Sequence, residues 1–307
     1  MIRATTGEPA GRPPGTNMAW IPEGTFLMGS DEFYPEERPV HPVSVDGFWM
    51  DEHPVTVADF RRFVKATGYV TVAERPLDPG DFPGAEPAML VPGSLVFHRT
   101  LGPVDLSDVH NWWAYVPGAS WRRPEGPGSS TVGRDRHPVT QVAFEDAEAY
   151  ATWLGKSLAT EAEWEYAARG GLDGARFAWG NEFAPKGRTM ANTWQGEFPW
   201  QNLLVDGYEG TSPAGAFPAN GYGLFDMTGN VWEWTCDVFE DGGSLSPCCA
   251  PGASGSIARR VIKGGSHLCA PSYCLRYRPA ARQGEAVDTS TGHLGFRCLL
   301  RSSDVSA

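Results

Sequence analysis

The chain of 307 residues has few cysteines, no excess of basic residues and no apolar segment at its N-terminus. Six cysteines are too few for a disulfide scaffold in a chain of this length. Residues 1–17 are rich in Gly, Pro and Thr, which argues against a signal peptide or a membrane span there. A formal charge of -12 argues against nucleic acids and anionic membranes as partners. We therefore expect a monomeric cytoplasmic protein with mostly reduced thiols, which binds neither nucleic acid nor membrane.

The residues that are abundant are glycine, proline and the aromatics. The chain contains 37 Gly and 26 Pro, and 12% of its residues are aromatic. So much Gly and Pro indicates long irregular segments, while the aromatics indicate a packed core. No fixed-period repeat is present. We predict an α+β fold in a single domain over residues 18–303, after a flexible tail over residues 1–17.

Three helices are predicted from local signals. Thr56 is an N-cap candidate with Asp59 three residues later, and Gly68 can end that helix. Residues 144–154 carry apolar side chains at helical spacing. Thr160 and Glu163 form a capping box ahead of the third helix.

Short strands are predicted between and after these helices. Residues 18–29 contain two apolar runs around a Pro22–Glu23–Gly24 turn, which predicts a hairpin. Further strands are predicted at residues 41–50, 261–264 and 294–299. Residues 75–133 lack periodicity but are rich in aromatics, so we expect a coil packed against the body of the protein. Residues 240–256 are predicted to form a loop.

The cysteines most suggestive of chemistry are Cys269 and Cys274. Four residues separate them, which is too many for the CxxC of redox sites and zinc ribbons. Two thiolates leave a tetrahedral ion incomplete, but they suit a soft ion of low coordination number such as Cu(I). From spacing alone, a strained disulfide and two unrelated reduced thiols remain open alternatives.

Four segments resemble the sulfatase-modifying factor family, and the similarity extends over nearly the whole chain. They are residues 26–30 (FLMGS), 159–167 (ATEAEWEYA), 221–234 (GYGLFDMTGNVWEW) and 292–297 (GHLGFR). Members with different functions share these segments. The resemblance implies a C-type-lectin-like fold with little regular secondary structure.

Three other segments resemble the catalytic branch of that family, the formylglycine-generating enzymes. They are residues 116–122 (VPGASWR), 191–199 (ANTWQGEFP) and 264–278 (GGSHLCAPSYCLRYR). The resemblance implies that a cysteine in a Cys-x-Pro-x-Arg segment of an unfolded sulfatase is oxidised to Cα-formylglycine. It also implies O2, a thiol reductant and Cu(I) at the active site.

The same resemblance implies roles for individual residues. Cys269 and Cys274 would hold Cu(I) as thiolates, with room for the client's cysteine as a further ligand. Ser266, Tyr273 and Trp232 would complete the catalytic site. Two residues would lie near the substrate groove, namely Ser290 and His293.

Two calcium sites are also implied by the resemblance. Both mix side-chain and backbone oxygens, as hard Ca2+ prefers. The first consists of Asn192, Thr193, Asp206 and Tyr208. The second consists of Asp226, Gly229, Val231 and Glu233, where Asp226 replaces a familiar Asn. Such ions would hold long loops in a fixed conformation.

The chain departs from secreted family members in its cysteines. Cys298 occupies one position of a structural disulfide, but Ala151 occupies the partner position. Ala168 and Pro279 occupy the two positions of a second disulfide in those members. The loss of both disulfides agrees with a reducing compartment. No role is assigned to Cys236, Cys248 or Cys249.

Two other functions on this fold are weighed. An iron-dependent sulfoxide synthase would need an N-terminal helical bundle with a three-His iron site, which this sequence lacks. A non-catalytic lectin-like binding module is the main alternative. The cysteine pair argues against it, because non-catalytic members lack that pair. Arg276, Arg278 and Arg297 are expected to form structural ion pairs.

Overall fold

A computed structural model describes residues 15–80, 84, 86, 90–240, 257–302 and 304. Most of the tail, nearly all of the 240–256 loop, and with it Cys248 and Cys249, lie outside these residues. Three α-helices are present in the described part: α1 (Val57–Thr67), α2 (Phe144–Trp153) and α3 (Glu161–Arg169). None of the helices in this part of the chain is long and apolar enough to span a membrane.

Local capping explains where two of the helices begin. Thr56 Oγ1 accepts the Asp59 N–H at 3.2 Å, and the Asp59 carboxylate accepts the Thr56 N–H. Thr160 and Glu163 form the same reciprocal pair at the start of α3. Gly68 and Gly170 end α1 and α3 in the left-handed conformation. The predicted helices are therefore confirmed to within about one residue.

Twelve short strands are present among the described residues. They are β1 (Met18–Ile21), β2 (Gly24–Met28), β3 (His41–Val45), β4 (Phe48–Asp51), β5 (Gly93–Phe97), β6 (Trp113–Pro117), β7 (Ser157–Leu158), β8 (Trp232–Val238), β9 (Arg259–Lys263), β10 (Arg282–Ala286), β11 (Leu294–Gly295) and β12 (Cys298–Arg301). One sheet has the order β1-β4-β12-β7 and a second has the order β10-β9-β8-β11. β2 pairs with β3, and β5 pairs with β6.

The predicted hairpin over residues 18–29 is wrong. β1 pairs with β4 and β2 pairs with β3, so the two apolar runs belong to different sheets. The single strand predicted over residues 41–50 is likewise two strands. They separate at Gly47, where a Cβ would lie 2.5 Å from the Trp20 ring, so the chain passes closer to Trp20 than any other residue type allows. The strand predicted at 294–299 divides into β11 and β12, whereas β9 matches the strand predicted at 261–264.

The aromatic-rich segment 75–133 packs against the body of the protein, as predicted. Trp112 and Trp121 are completely or almost completely buried. The segment also forms the antiparallel pair β5 and β6, which was not predicted because its many prolines and glycines interrupt any periodic pattern.

Buried ion pairs hold the C-terminal third of the chain in place. Arg276, Arg278 and Arg297 pair with Glu36, Glu37 and Glu233, respectively, and all three guanidinium groups are almost fully buried. These pairs confirm the expected structural role of the arginines. The three helices and the short, mostly antiparallel sheets confirm the predicted α+β fold.

Candidate functional site

Cys269 and Cys274 are buried in one hydrophobic cluster. Their exposed fractions are 1% and 3%, and the cluster also contains Trp232 and Tyr277. Burial raises the pKa of Tyr277, and the nearby Cys269 and Cys274 raise it further. Both sulfurs therefore lie close to the same phenol. The alternative of a disulfide is wrong, because neither cysteine forms one.

The backbone between residues 264 and 274 is tightly turned. Gly264 and Gly265 have φ values of 94° and 69°, and a Cβ on Gly265 would lie 2.6 Å from the Arg276 carbonyl oxygen. The Cys269 N–H donates to the Ser266 carbonyl at 3.0 Å, and the Ser266 N–H points to Cys269 Sγ at 3.4 Å. The Cys274 N–H donates to Ala270 at 2.9 Å. These turns bring both cysteines into the same cluster.

Ser266, Tyr273 and Trp232 lie around the pair. Ser266 is fully buried and its Oγ accepts the Leu268 N–H at 3.2 Å. The Tyr273 ring stacks on Phe198 with centroids 4.8 Å apart. Trp232 is fully buried beside the thiols, and its indole N–H has no hydrogen-bond partner among the described residues. The structure thus brings together the predicted catalytic set.

A cavity of about 470 Å³ is lined by the residues that immediately precede Cys269. Its wall includes His267 and Leu268, which immediately precede Cys269, and also Trp194. Polar and charged residues also line it, among them Arg99, Glu125, Arg134, His137, Asn202, Glu209 and Thr211. The cavity is large enough for part of a peptide.

His267 was missed by the sequence analysis. Its Nδ1 lies 2.8 Å from the Asn230 carbonyl oxygen, which can only accept, so Nδ1 carries the proton. Burial lowers the pKa of His267 to about 4. The ring is therefore neutral near pH 7, and its Nε2 is an acceptor. The signal that was available is its position between Ser266 and Cys269; the partner Asn230 is distant in sequence.

Ser290 and His293 lie behind the cavity wall. Both are buried, and Gly292 between them lines the cavity. Ser290 Oγ lies 2.6 Å from Ser94 Oγ, and His293 Nδ1 lies 2.6 Å from Thr291 Oγ1. The two residues thus flank a glycine of the cavity wall in sequence, and both side chains are buried.

The structure brings together oxygens of the first predicted calcium set. The Asp206 carboxylate accepts the N–H groups of Thr193 at 3.2 Å and Tyr208 at 3.0 Å. The Gln195 side-chain amide donates to both the Thr193 carbonyl and Asp206 Oδ2. Asn192 is buried beside them, and its amide donates to the Gly210 carbonyl. Two oxygens thus converge on one electropositive group.

The second predicted calcium set is partly engaged by protein groups. Arg297 binds both carboxylate oxygens of Glu233, at 2.7 and 2.8 Å, and Trp164 donates to one of them at 2.8 Å. Asp226 is buried and accepts the Gly215 N–H at 2.7 Å. Burial raises the pKa of Asp226 to about 6, and the nearby Glu233 adds to this. Gly229 and Val231 lie between these acids in sequence.

No group of three or more His, Cys, Asp and Glu side chains that could hold a metal occurs among the described residues. A metal at the cysteine pair would therefore rest on two thiolates. A metal at either of the other two sets would depend on backbone and amide oxygens as well as carboxylates.

Cys298 and Ala151 occupy the two positions at which the resemblance implies a disulfide in secreted relatives. Here Cys298 is a buried free thiol in the same hydrophobic cluster as Ala151. Burial raises the pKa of Cys298 well above its usual value. Cys236 is a partly buried free thiol, and burial also raises its pKa.

The chain is similar to proteins of known name. The sulfatase-modifying factor enzyme 1-like domain matches residues 4–302. Formylglycine-generating enzyme from Mycobacterium tuberculosis is 56% identical over 292 residues, covering 92% of this chain and 97% of that protein. Inactive C-alpha-formylglycine-generating enzyme 2 from Mus musculus is 39% identical over 291 residues, covering 92% and 84%. The solved structure of PvdO from Pseudomonas aeruginosa has a TM-score of 0.62 at 26% identity, covering 92% and 94%.

Proposed function

The chain belongs to the sulfatase-modifying factor family, and we propose that it is a formylglycine-generating enzyme, which converts a sulfatase cysteine to Cα-formylglycine. The observation that carries the proposal is the pair of buried cysteines, Cys269 and Cys274, in one cluster beside an open cavity. A peptide in that cavity would approach the pair past His267 and Leu268. The client is an unfolded sulfatase segment with a Cys-x-Pro-x-Arg motif.

The donor set at the thiols fits Cu(I). Two soft sulfur ligands in an apolar, aromatic environment favour Cu(I) over harder ions. The absence of a third acidic, His or Cys ligand among the described residues fits low coordination. When bound, Cu(I) would supply the reactivity toward O2. Cys269 and Cys274 would hold it.

The overall change requires O2 and a reductant. The client's Cβ loses its sulfur as hydrogen sulfide and gains one oxygen, which is a two-electron oxidation. O2 accepts four electrons, so two more come from two reductant thiols, which form a disulfide. The second oxygen atom leaves as water. Atoms and electrons then balance.

The protein's own residues position the client. The turn through Gly264 and Gly265 fixes Cys269, and the stacked Tyr273 and Phe198 rings fix the side of the loop next to Cys274. His267 presents a neutral Nε2 as a hydrogen-bond acceptor beside the cavity. Holding the reacting carbon in one geometry is a major source of rate enhancement.

We further propose structural Ca2+ at two sets of oxygen ligands. At the first set, Thr193 and Asp206 already converge on a donor, with Asn192 and Tyr208 beside them. The second set is Asp226, Gly229, Val231 and Glu233. There the Arg297 guanidinium already neutralises Glu233 and would compete with a cation.

We also propose that the protein works as a cytoplasmic monomer. The free thiols of Cys236 and Cys298, together with Ala151 opposite Cys298, support a reducing compartment.

The direct test replaces each thiol. We expect Cys269→Ser and Cys274→Ser each to abolish formylglycine formation on a Cys-x-Pro-x-Arg peptide, because one sulfur cannot hold the ion. Mass spectrometry of the peptide measures turnover after copper reconstitution, and metal analysis measures bound copper. Cys236→Ser is the matched control and should retain activity. Turnover in both site variants, or copper bound equally by wild type and Cys269→Ser, would end the proposal.

A non-catalytic lectin-like module is the second candidate. One relative carries the word inactive in its name, so family membership alone does not separate the two functions. Wild-type protein that binds the peptide without converting it, when loaded with copper and supplied with O2 and thiol, would favour this candidate.

A further inference from the structure

A buried glutamine, Gln141, joins three segments of the cavity wall. It is completely buried and directly follows the cavity-lining Thr140. Its backbone has a φ of 60°, a left-handed conformation that a residue with a Cβ adopts only at an energetic cost. Such a conformation persists where the surrounding contacts hold it.

The side-chain amide of Gln141 donates to two backbone carbonyls. Its Nε2 lies 2.7 Å from the Pro124 carbonyl oxygen and 3.3 Å from that of Leu95. Pro124 lines the cavity itself, and Leu95 immediately precedes the cavity-lining Val96. The Ser94 hydroxyl donates to Gln141 Oε1. Both amide N–H groups and the amide oxygen therefore have partners, and these partners fix which end of the amide carries the nitrogen.

The backbone of Gln141 contacts a third segment. Its N–H donates to the Thr291 carbonyl at 2.9 Å, and Thr291 immediately precedes the cavity-lining Gly292. A Cβ on Gly292 would lie 3.5 Å from a Gln141 side-chain atom, Nε2, so the amide lies next to that part of the wall. Three segments that are distant in sequence thus meet at one residue, and each of them contributes to the wall.

Gln141 also bears on a charged part of the wall. Glu125 follows Pro124 and pairs with Arg134 at 2.6 Å, and both members of this pair line the cavity. The hydrogen bond from Gln141 fixes the backbone of Pro124. The position of the ion pair therefore depends on the glutamine behind it.

On the basis of the proposed function, we propose that Gln141 is a positioning residue, which holds three segments of the cavity wall in the arrangement that binds the client. It is completely buried, so it acts through these segments rather than by touching the client. Cys269 is held by separate contacts, in the turn through Gly264 and Gly265. Loss of the amide donors should therefore weaken client binding without changing the chemical step. Such a loss raises KM and leaves kcat unchanged.

The test removes the amide donors. Gln141→Glu has nearly the same shape, but a carboxyl group has one donor at most and none when it is ionised. We expect KM for a Cys-x-Pro-x-Arg peptide to rise about tenfold, which corresponds to about 1.4 kcal/mol, with kcat and bound copper per chain unchanged. Mass spectrometry of the peptide measures the rates, and metal analysis measures copper.

A second variant and a control separate the side chain from the fold. Gln141→Asn avoids a new charge and suits the left-handed backbone, but its amide is too short to reach both carbonyls. We expect the same rise in KM. Ser94→Ala is the control, because it removes one hydrogen bond of the amide and leaves both donations to the wall. It should lower the free energy of unfolding in urea and leave KM unchanged.

A purely structural role of Gln141 would reduce the amount of folded protein, so kcat and bound copper would fall together at constant KM. That result would overturn the inference. So would an unchanged KM in both Gln141 variants, or an equal rise of KM in Ser94→Ala. Failure of wild type to convert any peptide would instead refute the proposed function. Calorimetric binding of the same peptide to wild type and Gln141→Asn would then still test the inference, and equal affinities would refute it.

Discussion

At the scale of single residues, the cysteine pair and its neighbours Ser266, Tyr273 and Trp232 could be singled out from the sequence, but His267 could not. Cys269 and Cys274 are five positions apart, so their meeting in one cluster depends on a local turn. His267 acquires its fixed tautomer from Asn230, which is 37 residues away in sequence. No local pattern encodes such a contact. The resemblance predicts Ser290 and His293 near the substrate groove, and the structure places both as buried residues on either side of the cavity-lining Gly292 in sequence.

Asp146 gives a prediction about pH at this scale. It is fully buried, and it accepts the Ala143 N–H at 2.8 Å and the Val72 N–H at 3.0 Å. Burial raises its pKa from 3.8 to about 6. The folded protein therefore holds this proton more tightly than the unfolded chain does. The resulting stabilisation is complete below about pH 4 and is lost as pH rises through about 6.

We expect Asp146→Asn to remove this pH dependence. The free energy of unfolding of wild type minus that of the variant should fall by up to about 3 kcal/mol between pH 4 and pH 7. Urea unfolding at several pH values measures it. Asp135→Asn removes an exposed carboxylate and serves as the control. A wild-type minus Asp146→Asn difference that is constant with pH would contradict the prediction.

At the scale of elements, helices were predictable and strand pairing was not. The caps at Thr56 and Thr160 act within three residues, so the sequence contains their whole cause. β1 pairs with a strand that begins 27 positions beyond its own end, and the intervening β2 and β3 look equally suitable. The first half of β8 is buried on both faces, so it lacks the alternation that marks a half-exposed strand.

The short 3-10 helix Pro35–Glu37 gives a prediction at this scale. Glu37 binds Arg278 through two hydrogen bonds, at 2.8 and 2.5 Å, and the guanidinium lies 3.6 Å from the Phe33 ring centroid. Both partners are almost fully buried. We expect Glu37→Gln to lower the free energy of unfolding by about 3–5 kcal/mol, because a buried charge loses its partner.

Glu32→Gln is the matched control. Glu32 pairs with Arg176, but both side chains are exposed, at 65% and 45%. Its loss should cost less than about 1 kcal/mol. Denaturant unfolding compares the two variants, and similar losses in both would rule out a special role for the buried pair.

At the scale of the whole molecule, the abundance of Gly and Pro correctly indicated long irregular segments. Residues 170–231 contain no β-strand and only the 3-10 helix Pro185–Gly187. Both proposed calcium sets include residues of this stretch. Bound ions would stabilise this stretch, which lacks the backbone hydrogen bonds that paired strands provide.

We therefore expect Ca2+ to raise the melting temperature of protein treated with a chelator. Saturation at a hundredfold excess over the dissociation constant corresponds to about 2.7 kcal/mol per site. Asp206→Ala and Asp226→Ala should each reduce the increment produced by calcium, whatever their own baseline stability. Scanning calorimetry measures it, with Mg2+ at equal ionic strength as the control. An unchanged wild-type melting temperature would exclude structural calcium.

The position of β12 has a consequence for how the protein is made. This strand, Cys298–Arg301, lies between β4 and β7 in the interior of its sheet. Among the strands of the described residues it is synthesised last, after Cys269 and Cys274. Its sheet therefore cannot close before residue 298 has been made, because β12 is the strand that pairs with both β4 and β7. A chain that ends between residues 274 and 298 would contain both cysteines but lack the strand that joins β4 to β7.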